Sequence, residues 1–165
     1  MSQVSSPALS RIAQLFAALG LFFMLAPLAH AARTVDIDDA RRLPLGSVVT
    51  VKGTVTVSSA LFESSTFDKG FGLQDKSGGI YVSAATDAGL RLGDQAEVTG
   101  QLAESFGLLI LVPATPTAVK HKGHGRPVSA APRSTGAINE SSEGLLVVVE
   151  GTITQAVSSD LPYGY

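Results

Sequence analysis

The chain has 165 residues, 45 % of them hydrophobic, with 17 glycines, 8 prolines, a formal net charge of −2 and no cysteine. That length suits one domain, or one domain and part of another. The missing cysteines exclude disulfide stapling and a lipid-modified bacterial lipoprotein signal, and the near-neutral charge excludes a global field for polyanions.

In chain order, residues 1–31 come first. One basic residue, Arg11, precedes an apolar run over 15–28 (LFAALGLFFMLAPL), and Ala29-His30-Ala31 follows with the small-x-small pattern of a signal-peptidase site. This reads as a signal peptide, so the protein is expected to be exported, either periplasmic or extracellular. An uncleaved anchor is the alternative, because residues 12–29 carry no formal charge and roughly 18–20 such residues span a bilayer. Pro27 and the small residues favour cleavage, which leaves no stable membrane association. Cleavage moves the formal charge to −3 and leaves about 134 residues, enough for an apolar core.

Residues 33–39 (RTVDIDD) read as an extended lead-in, with Asp36 or Asp38 capping a helical turn through Ala40-Arg41-Arg42 that Pro44 and Gly46 stop. The arginine pair is taken as a solvated helix face rather than a phosphate site. Residues 47–58 (SVVTVKGTVTVS) alternate as a strand, with Val49, Val51, Val55 and Val57 inward and Gly53 where the strand must bend. A polar loop over 61–70 holds Phe62 and Phe67. Folding back to cap the core is the favoured reading, and exposure for ligand stacking is the other. Residues 71–84 (FGLQDKSGGIYVSA) form a hairpin pattern: Phe71 and Leu73, then a turn at 75–79, then Ile80 and Val82. Asp75 and Ser77 are placed to bond the turn backbone, and Gly78-Gly79 to take positive φ.

A short connection over 84–92, with one helical turn, leads to alternating residues 95–102, a turn at 105–107 and the apolar run 108–112. Pro113 and Pro116 end that run, and pairing resumes at 117–120. The whole is five strands with a longer connection between the third and fourth. HKGHGR at 121–126 is the most basic cluster; its two histidines have no nearby carboxylate or cysteine, and zinc wants three or four ligands, so it reads as solvated linker. Beyond it, 142–159 aligns with 44–59, including Glu150-Gly151-Thr152 against Lys52-Gly53-Thr54, an internal repeat spaced by about 98 residues.

VVTVKGTVT at 48–56, FGLQDKSGGIYVS at 71–83 and LGDQAEVTGQL at 92–102, in that order, resemble OB-fold domains of bacterial exported nucleases and related secreted multidomain proteins. The resemblance implies an all-β, five-stranded Greek-key barrel whose second and third strands, with the loops after strands one and four, form the ligand surface. The expected organisation is a signal peptide at 1–31, an OB-fold domain at 33–120, a linker at 121–142 and a second, truncated OB-like domain at 143–165. Further C-terminal domains of the same chain would be its partners.

No nucleophile, base and orienter assemble from these residues, and no phosphate loop or metal spacing appears, so the chain as given is expected not to be an enzyme and to use no cofactor. Single-stranded DNA or RNA is the ligand expectation. Tyr81, Gln74 and Ser83 point outward on the second and third strands, Lys69 and Lys76 flank them, and Phe67 lies in the loop before. Against this stands a lone surface tyrosine with ordinary lysines on a non-catalytic structural or protein-interaction module, which the negative charge favours.

Overall fold

The computed structural model describes residues 32–61 and 67–154. Residues 1–31, residues 62–66, Phe62 among them, and residues 155–165 lie outside the described set, and with them the expected signal peptide and the end of the expected second copy. The elements are β1 (Arg33–Thr34), α1 (Ile37–Arg41), β2 (Val48–Val57), β3 (Phe71–Gln74), β4 (Gly79–Val82), β5 (Asp94–Ser105), β6 (Leu108–Val112), β7 (Val119–His124), β8 (Ala131–Pro132) and β9 (Val147–Val148).

The expected five-stranded OB-like barrel is present. β2, β3, β4, β6 and β5 pair in that order, and β5 closes back on β2. All these pairings are antiparallel except β4 with β6, which is parallel. Period-2 alternation puts Val49, Val51, Val55, Phe71, Leu73, Ile80, Val82, Val98, Leu102 and Leu111 into one core, all essentially inaccessible. Truncating a buried side chain such as Phe71 to alanine costs about 3–5 kcal/mol. β2 pairs with β5 up to Thr54 and with β3 from Thr54 onward, so Gly53 sits where the strand passes between partners. A Cβ there would lie 2.7 Å from the Gln74 carbonyl oxygen, a close approach that only glycine permits.

Several local expectations need correction. α1 is not capped by Asp36, whose side chain makes no cap bond. The Ile37 and Asp38 amides donate instead to Asp75 Oδ2 (2.9 Å) and Ser77 Oγ (3.0 Å), so the β3–β4 turn caps the helix from a distance. Asp75 also holds its own turn, accepting from the Ser77 and Gly78 amides at 2.7 and 2.9 Å. Gly78 and Gly79 do not take positive φ. Gly79 is needed for contact: a Cβ on it would fall 2.0 Å from the Gly144 carbonyl oxygen. The connection after β4 contains no helical turn.

Nor does the linker begin at residue 121. β7 runs on to His124, paired with β5 from Asp94 to Val98. Farther on, residues 139–146 fold back over the barrel. Glu143 Oε1 accepts from Arg41 Nη2 (2.8 Å) and the Leu109 amide (3.3 Å), and the Leu146 amide donates to Gln74 Oε1 (2.8 Å). Arg41 also reaches the Gly79 carbonyl (3.2 Å), so it is an internal tie and not a solvated face; Arg42 is exposed and pairs with Asp38 and Asp39. In the stretch read as a repeat, Val147–Val148 pairs in parallel with Ala131–Pro132, and Val148, Val149 and Ile153 are exposed.

Candidate ligand-binding face

The outer surface of β3, β4 and β6 is defined by register. Gly72 faces Tyr81, Gln74 faces Gly79, and Tyr81 faces Ile110. Because β4 and β6 run parallel, the β5–β6 turn enters beside the start of β4, and residues 67–70, which lead into β3, enter beside its end. These two loops bracket the face.

Tyr81 lies on this face but is not a free platform. Its hydroxyl donates to Asp68 Oδ1 at 2.5 Å, the Ser83 hydroxyl donates to Asp68 Oδ2 at 2.6 Å, and the Gly70 amide donates to Asp68 Oδ1 at 3.2 Å. The phenol packs against Gly70, where a Cβ would come within 2.4 Å of Tyr81 Cζ. Burial, then the hydrogen bond to Asp68 and the negative charge of that carboxylate, push the Tyr81 pKa well above the ordinary tyrosine value. Tyr81 and Ser83 thus fasten the segment 67–70 to the barrel through Asp68, a residue not among the expected site residues. Its signal was present in Asp68-Lys69-Gly70, an aspartate followed two residues later by the amide it accepts from, the same device as at Asp75.

The remaining expected residues separate into two groups. Lys69 is close enough for its charge to act on Asp87, whose carboxyl is held below the usual range by the Ser59 hydroxyl, the Gly89 amide and then Lys69. Gln74 and Lys76 lie away from Asp68, lining a shallow cleft with Lys52, Thr54 and Gln95. Gln74 is bonded to the folded-back segment, and Lys76 pairs with Asp36 at 3.5 Å.

Phe67 does not fold back to cap the core. It is 75 % exposed, and Phe106, at the β5–β6 turn, is 90 % exposed. Both have left-handed backbones, φ 58° and 53°. Phe106 and Gly107 (φ 87°) form a two-residue turn of the kind that normally selects Asn-Gly, so phenylalanine there costs on the order of 1–2 kcal/mol. The sequence marks 105–107 only as a turn, so Phe106 is not among the expected site residues. Among the described residues, Phe67 and Phe106 combine backbone strain with a solvent-facing aromatic ring, one at each end of the same face.

The histidines also differ from expectation. His124 Nδ1 and His121 Nε2 lie 2.9 and 3.5 Å from Asp94 Oδ1, so a carboxylate does stand beside them, brought from β5. Even so, among the described residues no group of three or more such side chains is arranged to hold a metal ion.

No protein-family model matches the chain, and no curated protein does. Solved structures similar to it include the hypothetical protein YgiW from E. coli, 18 % identical over 55 % of this chain and 90 % of that one, with a TM-score of 0.41. Another is the Ifi202 HINa domain in complex with 20-bp double-stranded DNA, 17 % identical over 57 % of this chain and 48 % of that one, TM-score 0.43. A third is a putative aspartyl-tRNA synthetase from Leishmania major Friedlin, 10 % identical over 79 % and 30 %, TM-score 0.44. Likenesses this distant carry no inference about a ligand.

Proposed function

We propose that this chain is an exported OB-type binding module that stacks unpaired bases of single-stranded DNA or RNA on Phe67 and Phe106, as a non-catalytic accessory part of a larger secreted nuclease-like protein. The observation that carries the binding role is the pair of strained, solvent-facing phenylalanines on the two bracketing loops. Exposed aromatic rings in left-handed backbone are costly for the free protein, and base stacking offsets such a cost without demanding a sequence. In this reading Tyr81 is a positioning residue. Through Asp68 it holds the loop that presents Phe67. Export and the nuclease context rest on the N-terminal apolar run and on the family resemblance of 48–102.

Fluorescence anisotropy of a labelled thymidine oligonucleotide at low salt tests this. Phe67→Ala and Phe106→Ala should each weaken binding by about 5- to 150-fold, the range that corresponds to 1–3 kcal/mol of stacking per base. Equal affinity in wild type and both variants, or no binding by the wild type, overturns the proposal. A second reading, a protein-interaction module without nucleic acid, is favoured by one specific observation: Asp68 and Asp87 place negative charge near the Phe67 end, where phosphates would be repelled. A wild type that fails to bind would select it.

A further inference from the structure

We propose that the phosphate backbone of the nucleic acid is held on a different surface, the outer face of β2, β5 and β7, by Lys52, Lys120 and Lys122. Register puts Glu97 directly opposite Lys52 on one side and Lys120 on the other. The irregularity between Gln95 and Ala96 in the β5–β7 pairing then lets Lys122 turn to the same carboxylate. The three ammonium groups lie 3.4, 3.2 and 3.7 Å from Glu97. Three of the chain's five lysines therefore surround one carboxylate, which leaves a surplus of two positive charges.

A structural ion pair needs one lysine, and gathering like charges on adjacent strands is unfavourable unless an anion meets them. Glu97 has only 15 % of its side chain exposed, whereas each lysine is at least half exposed and free to turn its ammonium to solvent. Bonding to Lys120, then the charge of Lys122 and the bond to Lys52, hold the Glu97 carboxyl below its usual range. At the near end Asp94 is taken up by His124 and His121. A row across three adjacent strands suits a linear polyanion better than a single small anion. The adjoining cleft shares Lys52 with the row, but Asp36 and Asp75 line it beside Lys76, so the cationic surface ends there.

The choice of nucleic acid as the source of the phosphates rests on the proposed function; the cationic row does not. Inorganic polyphosphate, which has no bases, reads the row alone. The chain should bind it with a slope of about −2 in log K against log salt, a loss of roughly 15-fold between about 50 and 200 mM. Lys52→Gln/Lys120→Gln/Lys122→Gln should abolish that binding and flatten the salt slope for the oligonucleotide. Phe67→Ala/Phe106→Ala should leave polyphosphate binding unchanged. Glu97→Gln removes the one carboxylate and keeps all three lysines, so it should tighten polyphosphate binding by roughly 5- to 10-fold, a gain that misfolding cannot mimic. Absent polyphosphate binding, binding indifferent to the lysines, or binding to phosphatidylglycerol vesicles without binding to oligonucleotide overturns this proposal. Loss of only the phenylalanine effect overturns the stacking reading and leaves the row standing.

Discussion

Replacing Asp68 with asparagine tests the fastening of residues 67–70 while keeping the shape of the side chain. Asparagine still accepts from the Tyr81 hydroxyl, and its amide can donate to Ser83, so the geometry survives and the negative charge does not. Among the described residues, the carboxylate accepts from the Tyr81 and Ser83 hydroxyls and the Gly70 amide. Bonds to a charged acceptor are worth about 1.5–3 kcal/mol and neutral ones about 0.5–1.5, but the group is only partly buried and the three are not additive. A loss of about 1–2 kcal/mol is expected, visible as a fall in Tm of roughly 4–10 °C by circular dichroism. The sharper readout is the phenol. With Tyr163→Phe and Tyr165→Phe isolating Tyr81, its phenolate absorbance should be absent near pH 10, the ordinary tyrosine value, and appear only above it. In Asp68→Asn it should appear at lower pH, still above the ordinary value because burial persists. The sign for stability follows: a pKa raised by folding contributes in full below about pH 10 and is lost as pH rises from there through the folded value. The alkaline loss should therefore be shallower in Asp68→Asn. Tyr81 ionising near pH 10 in both proteins, with unchanged Tm, would refute the fastening.

Three other outcomes are expected. Gly79→Ala sets a Cβ 2.0 Å from the Gly144 carbonyl, so the folded-back segment must lift; limited proteolysis between residues 139 and 148 should accelerate while the barrel stays protected. Phe106→Asn should raise Tm, because asparagine tolerates left-handed backbone in this turn at about 1 kcal/mol less, while weakening oligonucleotide binding; the two measurements moving in the same direction would argue against strain held for function. On the acid side, His124 and then the Arg91 amide hold the Asp94 carboxyl below its usual range, and Glu97 is held low by its lysines. Their contribution is present above the ordinary carboxylate values of about 4 and lost as pH falls through the lower folded ones. Denaturant unfolding of Asp94→Asn should accordingly show a weaker dependence on pH in that window than wild type.

The barrel was readable because its information is local. Valines at 49, 51 and 55, the Phe71/Leu73 and Ile80/Val82 alternation, and Ala96/Val98/Leu102 announce both strands and faces, and closure follows once five short strands share one apolar side. What escaped depends on partners far apart in sequence. The helix at 37–41 is capped by residues 38 and 39 positions downstream, Glu143 reaches Arg41 across 102, and Asp94 meets His124 across 30. Outward direction on β4 placed Tyr81 correctly on the face but could not show that Asp68 would hold its hydroxyl. Phe106 was hidden for a different reason: a two-residue turn is expected to carry Asn-Gly, and a phenylalanine in left-handed backbone is visible only in three dimensions.

The most direct test of the binding face is an amide chemical-shift map of the chain titrated with a short single-stranded oligonucleotide at low salt. The account predicts saturable shifts centred on Phe67, Asp68, Tyr81, Phe106 and Gly107, lost in Phe67→Ala/Phe106→Ala. Shifts absent at every one of these positions, or unchanged by that double substitution, would contradict it.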